Sequence, residues 1–158
     1  MAEERIVLWG VPRILVRGDQ RTPGSAEILT QLKQRQQAPL SLLTGLAEAE
    51  AVRQVSAVSL DRYLDLDIGG YGSDTPDRET LVDVVRSKVA AKYDQRVPSA
   101  SVLVTDELVD VGAAVRRGVR VVAVSDDPSH LERLRCAGAT HALSDLAATV
   151  DVLTAILD

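Results

Sequence analysis

Short apolar runs rich in β-branched residues alternate along the chain with longer segments whose apolar residues recur at i, i+3 or i+4. The runs are Ile6–Trp9, Leu40–Leu43, Leu64–Ile68, Val102–Val104 and Val119–Val124. Short, mainly apolar runs of this kind suit strands buried on both faces, so each is expected to lie inside a parallel sheet. Between them, Ala26–Gln34, Ala47–Val55, Glu79–Ala90 and Val111–Arg116 carry helical spacing, as do Leu131–Cys136 and Ala147–Leu157 further on. The alternation predicts an α/β fold, a doubly wound and mainly parallel sheet with right-handed crossovers and helices on both faces. One segment breaks it: Val11–Arg17 reads as extended and follows directly on Trp9, so the first strand is expected to lead into a small hairpin.

Punctuation agrees with this division. Pro23-Gly24-Ser25, Pro76-Asp77 and Asp127-Pro128-Ser129 each place a capping residue or a first-turn proline ahead of a helical segment. With 158 residues, 46% hydrophobic and 26% charged, the chain is expected to fold as one domain over residues 1–158. Aromatic residues are 3% with no Phe, so the core must come from Val, Leu, Ile and Ala, and base-stacking surfaces are nearly absent. A net charge of −5 has the wrong sign for phosphate backbones or anionic lipid, so neither nucleic acid nor membrane is an expected partner. Cys136 is the only cysteine, which rules out an internal disulfide; beside Ala137-Gly138 on a helix it reads as a small buried hydrophobe. The N-terminal residues lack a basic region followed by a signal-length apolar run. No stretch approaches the roughly 20 apolar residues of a membrane span, so a cytoplasmic location is expected.

In an open doubly wound sheet, ligands sit beyond the carboxyl ends of the strands. The residues there are Gly10–Arg13, Thr44-Gly45, Gly69–Asp74, Thr105–Asp110 and Ser125–Asp127. Their order is a strand into a hairpin, a strand ending in Thr44, a helix carrying a basic residue at Arg78, and a strand followed by Asp106 and Asp110. That order resembles the haloacid dehalogenase (HAD) superfamily of phosphohydrolases, and the run LDRYLDLDIGGYGSDTPDRETLV is especially similar to theirs. The resemblance covers essentially the whole chain and implies a Rossmann-like HAD core.

HAD enzymes work through a first motif, Asp-x-Asp-Gly-Thr, whose carboxylates attack phosphorus and shuttle a proton beside Mg²⁺. Here the motif reads Gly10-Val11-Pro12-Arg13-Ile14. Gly10 offers no nucleophile, Pro12 no proton and Ile14 no hydroxyl, so phosphoryl transfer of the family type is not expected. The other motifs are better kept. The resemblance implies that Thr44, with Gly45, grips phosphate, and that Arg78 bridges phosphate and nucleophile. A Thr capping the next helix and a solvated first-turn Arg are the structural alternatives. It also makes Asp106 and Asp110 the pair that holds Mg²⁺. Two carboxylates without a partner at Gly10 make a weak site, so no cofactor is expected beyond weakly held Mg²⁺. Arg13 is expected to neutralise Asp106 or Asp110 in place of the metal.

The glycine-rich loop Gly69–Asp74, with Tyr71 as a ligand candidate, does not open a helix in dinucleotide-fingerprint register. His130 and His141 have no Cys, Asp or Glu at metal-ligand spacing. Asp61, Asp65, Asp67, Asp74 and Asp77 read as a solvated acidic face that would also suit a basic partner. Only Asp19–Thr22 separates the hairpin from Pro23-Gly24, and the second linker is equally short, so no cap domain is expected. The open rim, with Trp9, Tyr71 and Leu46 as contact candidates, would then be covered by a second copy of the chain, another pathway protein or a large substrate. Three readings follow. The first is a catalytically degenerate HAD-like protein that acts by binding, as a homodimer or an accessory to another enzyme. The second is a repurposed enzyme, a cyclase, dehydratase or isomerase, that uses Asp106, Glu107 or Asp110 as general acid or base. The third is a weak Mg²⁺-dependent phosphatase.

Overall fold

In the computed structural model, which describes residues 5–10, 13–35, 39–93 and 100–157, the chain runs β1 (Arg5–Trp9), β2 (Val16–Arg17), β3 (Gln20–Arg21), α1 (Ser25–Arg35), β4 (Leu40–Leu42) and α2 (Glu48–Ala57). Two 3₁₀ turns, Asp61–Tyr63 and Leu66–Ile68, lead to α3 (Arg78–Lys92), β5 (Ala100–Thr105), α4 (Leu108–Arg116), β6 (Arg120–Val124), α5 (Pro128–Cys136), β7 (His141–Leu143) and α6 (Thr149–Leu157). Five strands form one parallel sheet in the order β4-β1-β5-β6-β7, and β2 and β3 pair as the antiparallel hairpin expected after the first strand. The doubly wound α/β architecture is therefore as the alternation predicts.

The period of two along each strand divides the interior between the two faces. From β1, Val7 and Trp9 join Ile28, Leu29 and Leu32 of α1 and Ile156 of α6 in one core. Ile6 and Leu8 join Leu81, Val85 and Val89 of α3 and Val111 of α4 in the other. Adding β5 repeats the split, with Val102 and Val104 on the first side and Leu103 on the second. Burying each such side chain contributes about 1.5–3 kcal/mol before chain entropy is subtracted. Caps fix where the helices begin. Asp77 Oδ2 accepts the amide of Thr80 at 3.2 Å to open α3, and Asp127 Oδ1 accepts that of Ser129 at 3.0 Å, with Pro128 in the first turn of α5.

Four expectations need correction or limitation. Leu64–Ile68 is not a strand: the Asp65 carboxylate accepts the amide of Asp67 at 3.2 Å and folds the segment into a 3₁₀ turn. The segment still runs beside β4 through Asp65 N to Leu40 O (2.7 Å), Gly70 N to Leu42 O (2.9 Å) and a single bridge between Leu43 and Gly70. The edge strand β7 was not expected, because His141-Ala142-Leu143 is short and has little of the β-branched character of the other runs. Cys136 is exposed, since Leu134 is the one buried residue of α5 and the helix turns Cys136 away from it. Val11 and Pro12 of the hairpin approach lie outside the described residues.

Among the described residues, only the hairpin separates β1 from α1 and only residues 43–47 separate β4 from α2, so no cap domain is inserted at either place. No helix among the described residues is long and apolar enough to cross a membrane.

Candidate functional site

Thr105, the last residue of β5, organises the centre of the sheet's carboxyl end. Its backbone is in register with Ala123 of β6, and a side chain built on Gly10 would meet Thr105 Oγ1 at an ordinary 3.5 Å. The Thr105 hydroxyl donates to Asp110 Oδ2 at 2.8 Å and accepts the backbone amide of Glu107 at 3.1 Å, which fixes the turn into α4. Asp110, in the first turn of α4, is thereby held pointing into the protein, its side chain 2% exposed.

Arg78 comes to the same place from the start of α3. Its Nη2 bonds Glu107 Oε2 at 3.1 Å, and its Nε lies 3.1 Å from Asp110 Oδ1, near enough to pair charges although neither of those two atoms is in a hydrogen bond. A side chain built on Gly45 would meet the guanidinium at 2.4 Å, so the loop after β4 lies flat against Arg78. Gly45 is needed here for close approach. Burial pushes the Asp110 carboxyl up to about 7, and the carboxylate of Glu107 adds to the effect, while the Thr105 hydroxyl and the Arg78 guanidinium pull the other way.

A second group lies beside the first. Arg13 Nη1 is 3.7 Å from Asp106 Oδ2 in a loose pair, with Arg13 79% exposed and Asp106 15%. Burial raises the Asp106 carboxyl, Arg13 opposes that rise, and Glu107 adds to it. His130 Nε2 is 2.6 Å from the backbone carbonyl of Asp106; because a carbonyl only accepts, Nε2 carries the proton.

The structure brings together Gly45, Arg78, Glu107 and Asp110 in one group and Arg13 with Asp106 in the other. Arg13 lies within 3.7 Å of Asp106 in a loose, exposed pair, and Asp110 is met by Arg78 instead. Thr44 is buried after β4, and its Oγ1 accepts the amide of Leu46 at 3.1 Å, the turn-forming role. Tyr71 does not reach the rim: it is fully buried, and its hydroxyl donates to Leu66 O at 2.7 Å. Trp9 is buried in the core as well. The acidic stretch is largely paired, Asp74 with Lys88 at 3.0 Å and Asp65 with Lys92 at 2.8 Å, so it is not a bare face. Sequence reasoning set aside His130 for lack of metal-ligand spacing, and nothing in its spacing signals a bond to a backbone carbonyl.

A resident Mg²⁺ does not fit these side chains. Gly10 supplies no ligand, Asp110 is occupied by Thr105 and Arg78, and Asp106 faces Arg13. Among the described residues no group of three His, Cys, Asp or Glu is disposed to hold a metal ion.

Comparison with solved structures shows the fold, that of the haloacid dehalogenase-like core. The chain is similar to a Thermotoga maritima protein assigned as a β-phosphoglucomutase, with a TM-score of 0.66, 24% identity, and 85% of this chain and 60% of that one covered. A conserved haloacid dehalogenase-like protein of unknown function from Agrobacterium tumefaciens gives 0.66 and 22%, over 86% and 61%. A haloacid dehalogenase-like hydrolase from Streptococcus pneumoniae gives 0.65 and 15%, over 85% and 59%. The chain spans about three-fifths of the length of these proteins. No protein-family model and no curated protein matches it.

Proposed function

We propose that this chain acts by binding and not by phosphoryl transfer, as a homodimer or as an accessory to another enzyme, possessing the family fold without its chemistry. The observation that carries this reading is the pairing of Arg78 with Asp110 opposite a glycine at position 10. Gly10 offers no side chain to attack phosphorus, and the buried carboxylate of Asp110 faces the Arg78 guanidinium. Use of Asp110 as a general acid or base is disfavoured by its burial, because a group 2% exposed does not meet a substrate proton. The uncapped rim is the face for a protein partner. There Leu108 and Val109, in the first turn of α4, are 43% and 55% exposed.

The test is hydrolysis of p-nitrophenyl phosphate and a panel of phosphorylated metabolites, with and without Mg²⁺. No rate above buffer is expected. A Mg²⁺-dependent rate that disappears in Asp106→Asn would overturn the reading.

A further inference from the structure

A cavity of about 630 Å³ lies between the hairpin and the start of α5, with Asp106 on its wall. That volume suits a metabolite-sized ligand. Three guanidiniums line it from separate segments, Arg13 beyond β1, Arg17 of β2 and Arg133 of α5. Its apolar floor is made by Ile14, Val16 and Val124, all buried, so a charge held above them is incompletely screened by water.

Most charged groups of the protein already have partners. Elsewhere the basic residues are mostly tied to acids: Arg53 to Glu50, Arg117 to Glu79 and Asp83, Arg135 to Glu132, Lys92 to Asp65 and Asp67. Arg17 and Arg133 have neither an ion pair nor a side-chain hydrogen bond among the described residues. The acids of the cavity are more occupied. Asp106 faces Arg13, and Asp127 caps α5, which leaves Asp126 as the one carboxylate there without a described role. Two planar forks of donors thus face one cavity, and such forks match oxyanions two oxygens at a time.

We propose that this cavity binds a small molecule bearing at least two oxyanion groups, carboxylate or phosphate, with Arg17 and Arg133 each gripping one. Ligand recognition here is separate from the Arg78 group. It does not depend on the absence of turnover, since binding is read without any reaction.

Calorimetric titration at low ionic strength with citrate and with pyrophosphate tests it, with inorganic phosphate as the single-group control. At least one of the two is expected to bind saturably and more tightly than inorganic phosphate, and which one binds identifies the oxyanion. Arg17→Gln and Arg133→Gln should each weaken that binding about tenfold, the loss of one charge-assisted contact. Arg62→Gln, an exposed arginine stacked on Tyr63, should leave it unchanged. Both cavity arginines are exposed, and thermal melting checks that each variant folds. No saturable binding of either probe, or binding equal in the parent and both cavity variants, overturns the proposal.

Discussion

Replacing Asp110 by asparagine should stabilise the protein at neutral and alkaline pH. The Asp110 carboxyl ordinarily ionises near 3.8, and here it ionises at about 7, chiefly because it is buried. Each tenfold change in proton affinity is about 1.4 kcal/mol, so holding the carboxylate ionised in the folded protein costs up to about 4 kcal/mol relative to the unfolded chain. The folded state binds this proton more tightly. Its contribution is therefore fully present below the unfolded value near 3.8, falls as pH rises, and is lost above about 7. Asparagine has nearly the same shape, can turn its amide oxygen to Arg78 Nε while its NH2 donates to the Thr105 hydroxyl oxygen, and cannot ionise. Asp106, whose carboxyl is also raised, is common to both proteins and cancels in the difference. Thermal unfolding of parent and Asp110→Asn from pH 4.5 to 8 is the assay. The two should be close at the acid end and diverge with pH until the variant melts about 10 °C higher, taking about 2–4 °C per kcal/mol for a chain of this size. A difference that stays constant across the range, or a variant that loses ground as pH rises, would refute the account of Asp110.

Three further outcomes are expected. Titration to 10 mM Mg²⁺ should leave the melting temperature unchanged, whereas a site with a dissociation constant near 1 mM would add about 1.4 kcal/mol and be readily seen. Gly72→Ala should cost about 3 kcal/mol in urea unfolding, because the added carbon would lie 2.0 Å from the backbone oxygen of Gly45, which cannot step aside as a side chain can. Cys136 should react with Ellman's reagent in the native protein as fast as a free thiol, since it is exposed; protection until unfolding would contradict its place on α5.

Most of the sheet could be read from the sequence because its strands are buried on both faces and so are rich in β-branched apolar residues. Ile6–Trp9 and Val121–Val124 need no context to declare themselves. Leu64–Ile68 alternates Leu and Ile with Asp65 and Asp67, an alternation that suits a strand, but it bends because the Asp65 side chain bonds locally to the amide of Asp67. The site was partly readable. Asp106, Asp110 and Arg78 stand at positions that a strand-end argument selects, yet which cation meets which acid depends on side-chain reach across separate elements. Arg13, within the Gly10–Ile14 segment, was the natural candidate for either acid. Arg78 reaches Asp110 because α3 delivers it from the opposite side. Tyr71 shows the converse, a polar aromatic in a glycine-rich loop whose hydroxyl is satisfied internally. Sequence offers no sign of that orientation.

The close approach of Gly45 to Arg78 makes two positions far apart in the chain a single choice. Any side chain at position 45 would displace the guanidinium, and with it the charge that balances Glu107 and Asp110. The guanidinium is the far end of a flexible side chain and can swing away, so a residue larger than glycine at position 45 would be felt through the charge it displaces and not through a backbone clash. Substitution at position 45 is thereby coupled to Arg78, Glu107 and Asp110 although it touches only the first of them.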